Sequence, residues 1–381
     1  LPRMHGTGGY GDGGRAGGTP CGGLHHIKNG EQQGMKIGAL NIGPGHDPLI
    51  IAEVSGNHNG SLDRALAIVD AVADAGVQAI KLQTYTADTM TLPLSHGEFS
   101  VQDPDSLWAG RSLYELYEQA HTPWDWHQPI FTRARERGLM AFSSPFDATA
   151  VDFLESLDVP CYKIASFENV DLPLIARVAR TGKPMIISTG LANLSEVGEA
   201  VACARDNGCK DLVLLKCTSS YPADPADSNL LAITSLAENF GTLVGLSDHT
   251  LGIGAAVASV ALGACVIEKH VTLDREDGGV DSAFSLEPAE FAQLRQASAV
   301  AAQALGSPLL RRTANEERSL VFRRSLYICA DLKAGEVLNA SNLRAIRPGL
   351  GLPPKYLDKL LGRRVGRDVA RGTPMDWNLL A

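Results

Sequence analysis

The chain has no long hydrophobic run. Its apolar stretches, such as residues 255–260, fall far short of the roughly 20 residues a membrane-spanning helix needs. No charged-then-apolar signal segment opens it, so a cytoplasmic protein is expected. The seven cysteines are scattered (Cys21, Cys161, Cys203, Cys209, Cys217, Cys265, Cys329), with no CxxC pair among them. That spacing excludes a disulfide scaffold or a cysteine-rich zinc site and reads as reduced thiols in strand and helix context. Clustered basic charge is also missing. A net charge of -9 excludes a nucleic-acid partner, because phosphate backbones need gathered Lys and Arg. A small anionic substrate stays open if a few cations meet in one pocket.

Glycine crowds residues 1–34, which carry no hydrophobic period. They read as a disordered or non-native extension, with Met35 as a start. From Leu49 a regular alternation begins. Strands are expected at 49–54, 79–85, 139–146, 161–166, 184–190, 211–221, 243–249 and 265–273. Helical stretches lie between them, at 62–75, 148–157, 172–181, 194–207, 230–240 and 253–262, followed by a long one at 288–305. Gly76, Gly182, Gly208 and Gly241 sit where helix C-termini should be. Eight strand–helix units over this length predict a (β/α)₈ TIM barrel at 35–306. A doubly wound open sheet would give the same alternation, but eight regular units fit closure better. The connection 86–122 is oversized and holds Trp108, Tyr114 and Tyr117, as a binding loop or lid would. Residues 307–320 read as a linker, and 321–381 as a small second domain.

The active site of such a barrel lies at the C-terminal ends of the strands. There the sequence places Glu53, Lys81, Ser144, Lys163, Ser166, Ser188, the run Thr218 to Tyr221, Ser247, His249, Glu268, His270 and, in the last loop, Asp281. A lone strand-end serine is usually a turn former or helix cap. Two histidines ending adjacent strands are different, since one divalent ion could bridge them and keep positions open for substrate. Imidazole suits Zn, Fe or Mn, and the residues do not choose among them. Lys81 and Lys163 lie inside apolar runs, where an ammonium needs an anionic partner. Neighbouring carboxylates or a bound phosphate would each serve.

The strings IIAEVSGNHNGSL, AIKLQTY, YKIASFE, GKPMIISTG, KCTSSYP, VGLSDHT and VIEKHVTLDREDGGVDSAFSLEP occur in this order. Together they resemble the sialic acid synthases. The C-terminal strings RRSLYICADLKAGEVL, LRAIRPGLGLPP and VGRDVARGTPMDW look like the antifreeze-like (SAF) domain of that family. The segments GRSLYELYEQAHTPWDWH and GGVDSAFSLEP look most like the pseudaminic acid branch. The resemblance implies a metal-dependent condensation of phosphoenolpyruvate with an amino-sugar aldehyde. It implies Mn²⁺, or Mg²⁺ or Co²⁺ in its place, on His249 and His270. It further implies phosphoenolpyruvate on Lys81, Lys163, Ser166, Ser188 and Ser247, catalytic carboxylates at Glu53 and Asp281, and Tyr221 facing the pocket. Ser144 and Ser219 stand where the neuraminic branch has Thr and Asn, which leaves the sugar contacts open. A domain-swapped homodimer is implied as well, with Arg347 reaching the neighbouring subunit's substrate. Four other readings compete: an N-acetylneuraminic or legionaminic acid synthase of the same family, a related phosphoenolpyruvate aldol synthase, a Schiff-base aldolase working through Lys81 or Lys163, and a non-catalytic sugar-binding protein.

Overall fold

The structure is a computed structural model that describes residues 34–104 and 106–381; the glycine-rich extension and Cys21 lie outside them. A short antiparallel hairpin, Met35–Ile37 with Leu40–Ile42, precedes the first barrel strand. The barrel strands are β1 (Leu49–Glu53), β2 (Ala79–Thr84), β3 (Met140–Pro145), β4 (Tyr162–Ile164), β5 (Met185–Ser188), β6 (Leu212–Cys217), β7 (Leu243–Ser247) and β8 (Ala264–His270). All pair in parallel, and β8 returns to β1 to close an eight-stranded barrel. The sequence expectation of closure rather than an open sheet is met. The reason is visible in the strands themselves, which are buried along nearly their whole length, as parallel strands walled by helices on the outside must be.

The surrounding helices are α1 (Leu62–Asp74), α2 (Trp124–Glu136), α3 (Ala148–Ser156), α4 (Leu172–Ala179), α5 (Leu194–Asp206), α6 (Ala232–Phe240), α7 (Gly254–Val260) and α8 (Pro288–Leu305). Polar side chains start most of them. Ser61, Asp147, Asp171 and Asn193 each accept a backbone N–H of the first turn, and Asn193 forms a reciprocal capping box with Glu196. The four glycines expected at helix ends all adopt positive φ.

Two sequence expectations were drawn too long. Strand six ends at Cys217, not residue 221, and strand eight at His270, not residue 273. Beyond Cys217 the backbone turns away from the ladder, and the Thr218 carbonyl accepts from a side chain, His249, instead of a strand. The oversized connection after β2 carries two short helices, Ala87–Met90 and Leu113–Ala120.

The chain divides into two compact units between Leu305 and Gly306. In the second, a helical turn at Ala314–Arg318 precedes the antiparallel pair β9 (Ser325–Ile328) and β10 (Leu343–Ile346). Its own core gathers Leu326, Ile328, Leu338, Leu343, Leu360 and Val365. Arg347 is exposed, directly after β10. Among the described residues no helix is long and apolar enough to cross a membrane, and the six described cysteines are free.

Candidate active site

Strand register sets the site. His270 pairs with Glu53, and Glu53 with Lys81, so three strand ends on β8, β1 and β2 form one row. Side chains alternate faces along a strand, so Glu268 joins His270 inside the barrel while Lys269 between them points out. Inside, Lys81 forms an ion pair with Glu53 and lies 3.5 Å from Glu268. Lys163 lies 3.4 Å from the same Glu268 oxygen. Lys81 also donates to Ser144 Oγ at 3.2 Å, and Ser247 Oγ donates to Glu268 at 3.4 Å.

All four charged groups are almost fully buried. Burial opposes each charge, and neighbours decide the outcome. For Glu268 the two ammoniums win and hold the carboxyl below its usual range. Glu53 is pushed up, burial outweighing Lys81. Lys81, facing both carboxylates, is raised despite burial, whereas burial pulls Lys163 down. The sequence left open whether carboxylates or phosphate would neutralise the lysines. Here carboxylates do, and the hub is Glu268, which the sequence placed at the strand end without giving it a role. The signal was available: i and i+2 on a strand share a face, so IEKH places Glu268 beside His270.

The second cluster is imidazole and aromatic. The His249 and His270 rings lie 5.3 Å apart, with Tyr221 4.5 Å from His249 and Phe284 5.0 Å from His270. His249 donates from Nδ1 to the Thr218 carbonyl at 2.9 Å, which leaves Nε2 as the lone-pair nitrogen. Burial, helped by His249 and three lysines, holds His270 well below the usual histidine value and so neutral. Its Nδ1 is buried without a hydrogen-bond partner and lies 3.8 Å from Asp281. Asp281 is buried and pushed up by that burial, and it accepts from Ser55. The loops after β1 and β8 are laced together, Asn57 Nδ2 donating to Val271 O and Ser285 Oγ, both at 2.8 Å. That lacing fixes Asp281 opposite the histidines.

His249 is pushed up by Cys217 against its burial. His270 has an orphaned nitrogen and His249 a free Nε2, and two buried imidazoles so placed suit a divalent ion, with water or substrate filling the other positions. Among the described residues no three His, Cys, Asp or Glu side chains converge as a ready-made metal set.

The remaining predicted residues ring these clusters. Ser188 Oγ is buried without a hydrogen-bond partner. Ser166 Oγ accepts from the Gly190 amide at 3.2 Å. A side chain at Gly190 would collide with Ser166 and Ser219, so glycine there lets both hydroxyls approach. Cys217, which the sequence did not single out, lies 3.9 Å from His249 Nδ1, and the histidine holds its thiol down to about 7 against burial. Arg347 belongs to the second unit.

Comparison with known proteins decides the lineage. The NeuB family model matches residues 68–309. The chain belongs to the NeuB family. A SAF domain matches residues 323–381, so this NeuB member carries both parts that the sequence strings resemble. The pseudaminic acid synthase of Campylobacter jejuni subsp. jejuni serotype O:2 is 44% identical over 338 residues, covering 89% of this chain and 97% of that protein. The pseudaminic acid synthase of Helicobacter pylori is 42% identical, covering 86% and 96%. Among solved structures, the N-acetylneuraminic acid (sialic acid) synthetase of Leptospira borgpetersenii matches with a TM-score of 0.68 and 31% identity, covering 76% of this chain and 95% of that one.

Proposed function

We propose that this NeuB-family chain is a pseudaminic acid synthase. It condenses phosphoenolpyruvate with 2,4-diacetamido-2,4,6-trideoxy-L-altrose and water, giving pseudaminic acid and phosphate. One observation carries the chemistry: a buried two-lysine, two-carboxylate cluster stands beside two histidines at one barrel mouth. The choice of sugar is supported by 44% identity to a pseudaminic acid synthase against 31% to a neuraminic one.

Phosphoenolpyruvate binds at the lysine end. Lys81 and Lys163 face its phosphate and carboxylate, with Ser166, Ser188 and Ser247 supplying hydroxyls. The aldehyde lies at the histidine end, beyond Ser144, Ser219 and Tyr221. His249 and His270 would hold a divalent ion, Mn²⁺ or in its place Mg²⁺ or Co²⁺, which polarises the aldehyde when bound. C3 of phosphoenolpyruvate attacks the aldehyde carbon, forming the new C–C bond and leaving positive character at C2. Asp281, raised by burial and set beside His270, protonates the developing alkoxide. Water adds at C2 and gives a proton to Glu53, which also stabilises the cation. The C2–O bond to phosphate then breaks as the new C2 hydroxyl gives its proton to the departing phosphate and becomes the keto group, so the bridging oxygen leaves with phosphate. Glu268 keeps the two lysines apart and oriented before substrate arrives.

Arg347 serves the neighbouring barrel in a domain-swapped homodimer in the cytoplasm; a fully active monomer by light scattering would remove that part. The function is tested by product mass after incubation with phosphoenolpyruvate, Mn²⁺ and a panel of amino sugars. The diacetamido trideoxy sugar should give the nine-carbon acid far faster than N-acetylmannosamine. Equal rates or the reverse preference would move the enzyme to the neuraminic branch.

A further inference from the structure

The long connection after β2 does not simply skirt the barrel. Its Trp108 donates from Nε1 to the carbonyl of Val280 at 3.1 Å, the residue before Asp281. The indole ring lies 5.8 Å from the Tyr221 ring at a tilted angle, and Tyr221 in turn lies 4.5 Å from His249. A line of three rings therefore runs outward from His249 through Tyr221 to Trp108. The loop holding Trp108 is braced on itself. Across its neck the Val101 amide donates to the Arg111 carbonyl and the Gly110 amide to the Val101 carbonyl, both at 2.9 Å, and Ser106 Oγ accepts from the Trp108 amide at 3.2 Å. Near its end, a side chain at Gly56 would press on both Ala120 and Val280, so the glycine lets the loop and the β8 loop approach each other there. The loop thus meets the β1 and β8 loops at the mouth, with Trp108 half-buried there.

We infer that Trp108 is a specificity-determining residue, the apolar wall against which the 6-deoxy end of the sugar chain packs. The inference rests on the proposed reaction, which puts the aldehyde carbon at the histidine end. Five carbon–carbon bonds of about 1.5 Å carry the far end of a six-carbon chain roughly 6 Å outward. Tyr221 stands 4.5 Å from His249 and Trp108 a further 5.8 Å from Tyr221, so a chain of that length starting near His249 ends in the span of these two rings. An indole face there offers dispersion contact to a methyl group and no partner for a hydroxyl, while its one polar atom is already engaged by Val280.

The test compares wild type, Trp108→Ala and Trp108→Phe, each with the 6-deoxy sugar and with its 6-hydroxy counterpart. Wild type should favour the 6-deoxy sugar by about 100-fold in kcat/KM, the scale on which an apolar pocket rejects an added hydroxyl. Trp108→Ala should bring that ratio near unity, with the KM for phosphoenolpyruvate and the melting temperature unchanged. Trp108→Phe, which keeps a ring but loses the Val280 tether, should stay near wild type. An unchanged ratio in Trp108→Ala overturns the inference. So does equal damage in Phe and Ala with both sugars, because the tether would then be what matters. If wild type itself shows no preference for the 6-deoxy sugar, the proposed substrate fails, a result distinct from either.

Discussion

Strand β8 carries two buried lysine environments one residue apart, and they are built to opposite ends. On its outer face Lys269 donates to Asp248 at 2.8 Å and to the Thr250 carbonyl at 2.7 Å. One ammonium there meets one carboxylate and one carbonyl. On the inner face Lys81 and Lys163 share Glu268, whose second oxygen has no hydrogen-bond partner, and Ser188 Oγ and His270 Nδ1 are likewise unmatched. Buried polar atoms in a native fold are nearly always paired, so three unmatched atoms set around the two lysines and the histidines suit a place kept for substrate. The outer pair holds the fold; the inner set holds chemistry.

The largest expected effect separates the two faces by function. His249→Ala and His270→Ala should each lower turnover by about 10³-fold or more, since a bound divalent ion contributes several kcal/mol to the transition state. Calorimetric titration of the metal-free protein with Mn²⁺ should show binding in wild type and none in either variant. Lys269→Met, from the same strand, should keep turnover per folded molecule within a few-fold of wild type. A large turnover loss in Lys269→Met, or Mn²⁺ binding unaffected by loss of both histidines, would erase the distinction.

The next effect reverses the order. Removing one partner of a buried pair leaves the other charge uncompensated, at a cost of about 3–5 kcal/mol. Lys269→Met strands Asp248 in this way and should lower the unfolding free energy by that amount in a denaturant titration. Converting both Lys269 and Asp248 to apolar residues should recover most of it. A single variant as stable as wild type would show that the outer pair does not hold the fold.

Much of this contrast could be read before the coordinates. Apolar runs of strand length between amphipathic helices led to the closed barrel, and the rule that chemistry sits at strand ends picked Glu53, Lys81, Lys163, His249 and His270. What escaped had physical reasons. Helix α2 was not named, because Pro123 at its cap and Pro129 inside it break the helical pattern. Strand six was overdrawn because Thr218, Ser219, Ser220 and Tyr221 continue a β-prone run while the backbone has already left the ladder. Glu268 was placed at a strand end but given no role, because that role depends on which strands flank β8, and closure against β1 is a long-range fact. Trp108 was noticed only as part of a long loop; its bond to Val280 spans 172 residues.

The smallest effect tests the same contrast in histidines. His127, on α2, is buried more completely than His270, and burial lowers its pKa to about 4. Unlike His270 it is satisfied on both nitrogens, donating from Nδ1 to the Pro123 carbonyl at 3.3 Å and accepting at Nε2 from Thr84 Oγ1 at 2.8 Å. The sign follows from linkage. The unfolded chain protonates its histidine near pH 6.5, whereas the folded one stays neutral until about 4. His127 therefore contributes stability that is whole above 6.5 and is lost as pH falls toward 4, by up to about 3 kcal/mol. His58, also lowered to about 4 by burial, acts in the same sense. Glu168, raised to about 7 by burial, acts in the opposite sense, favouring the folded state below 4.5 and losing that contribution as pH rises through 7. The wild-type slope is the balance of these groups, so the informative measurement is a difference. Between pH 7 and pH 5 the fall in melting temperature should be smaller in His127→Gln than in wild type, since His58 and the other groups titrate in both proteins and cancel in the difference. Equal slopes would mean that His127 takes up its proton without unfolding, and that its two hydrogen bonds do not hold it neutral.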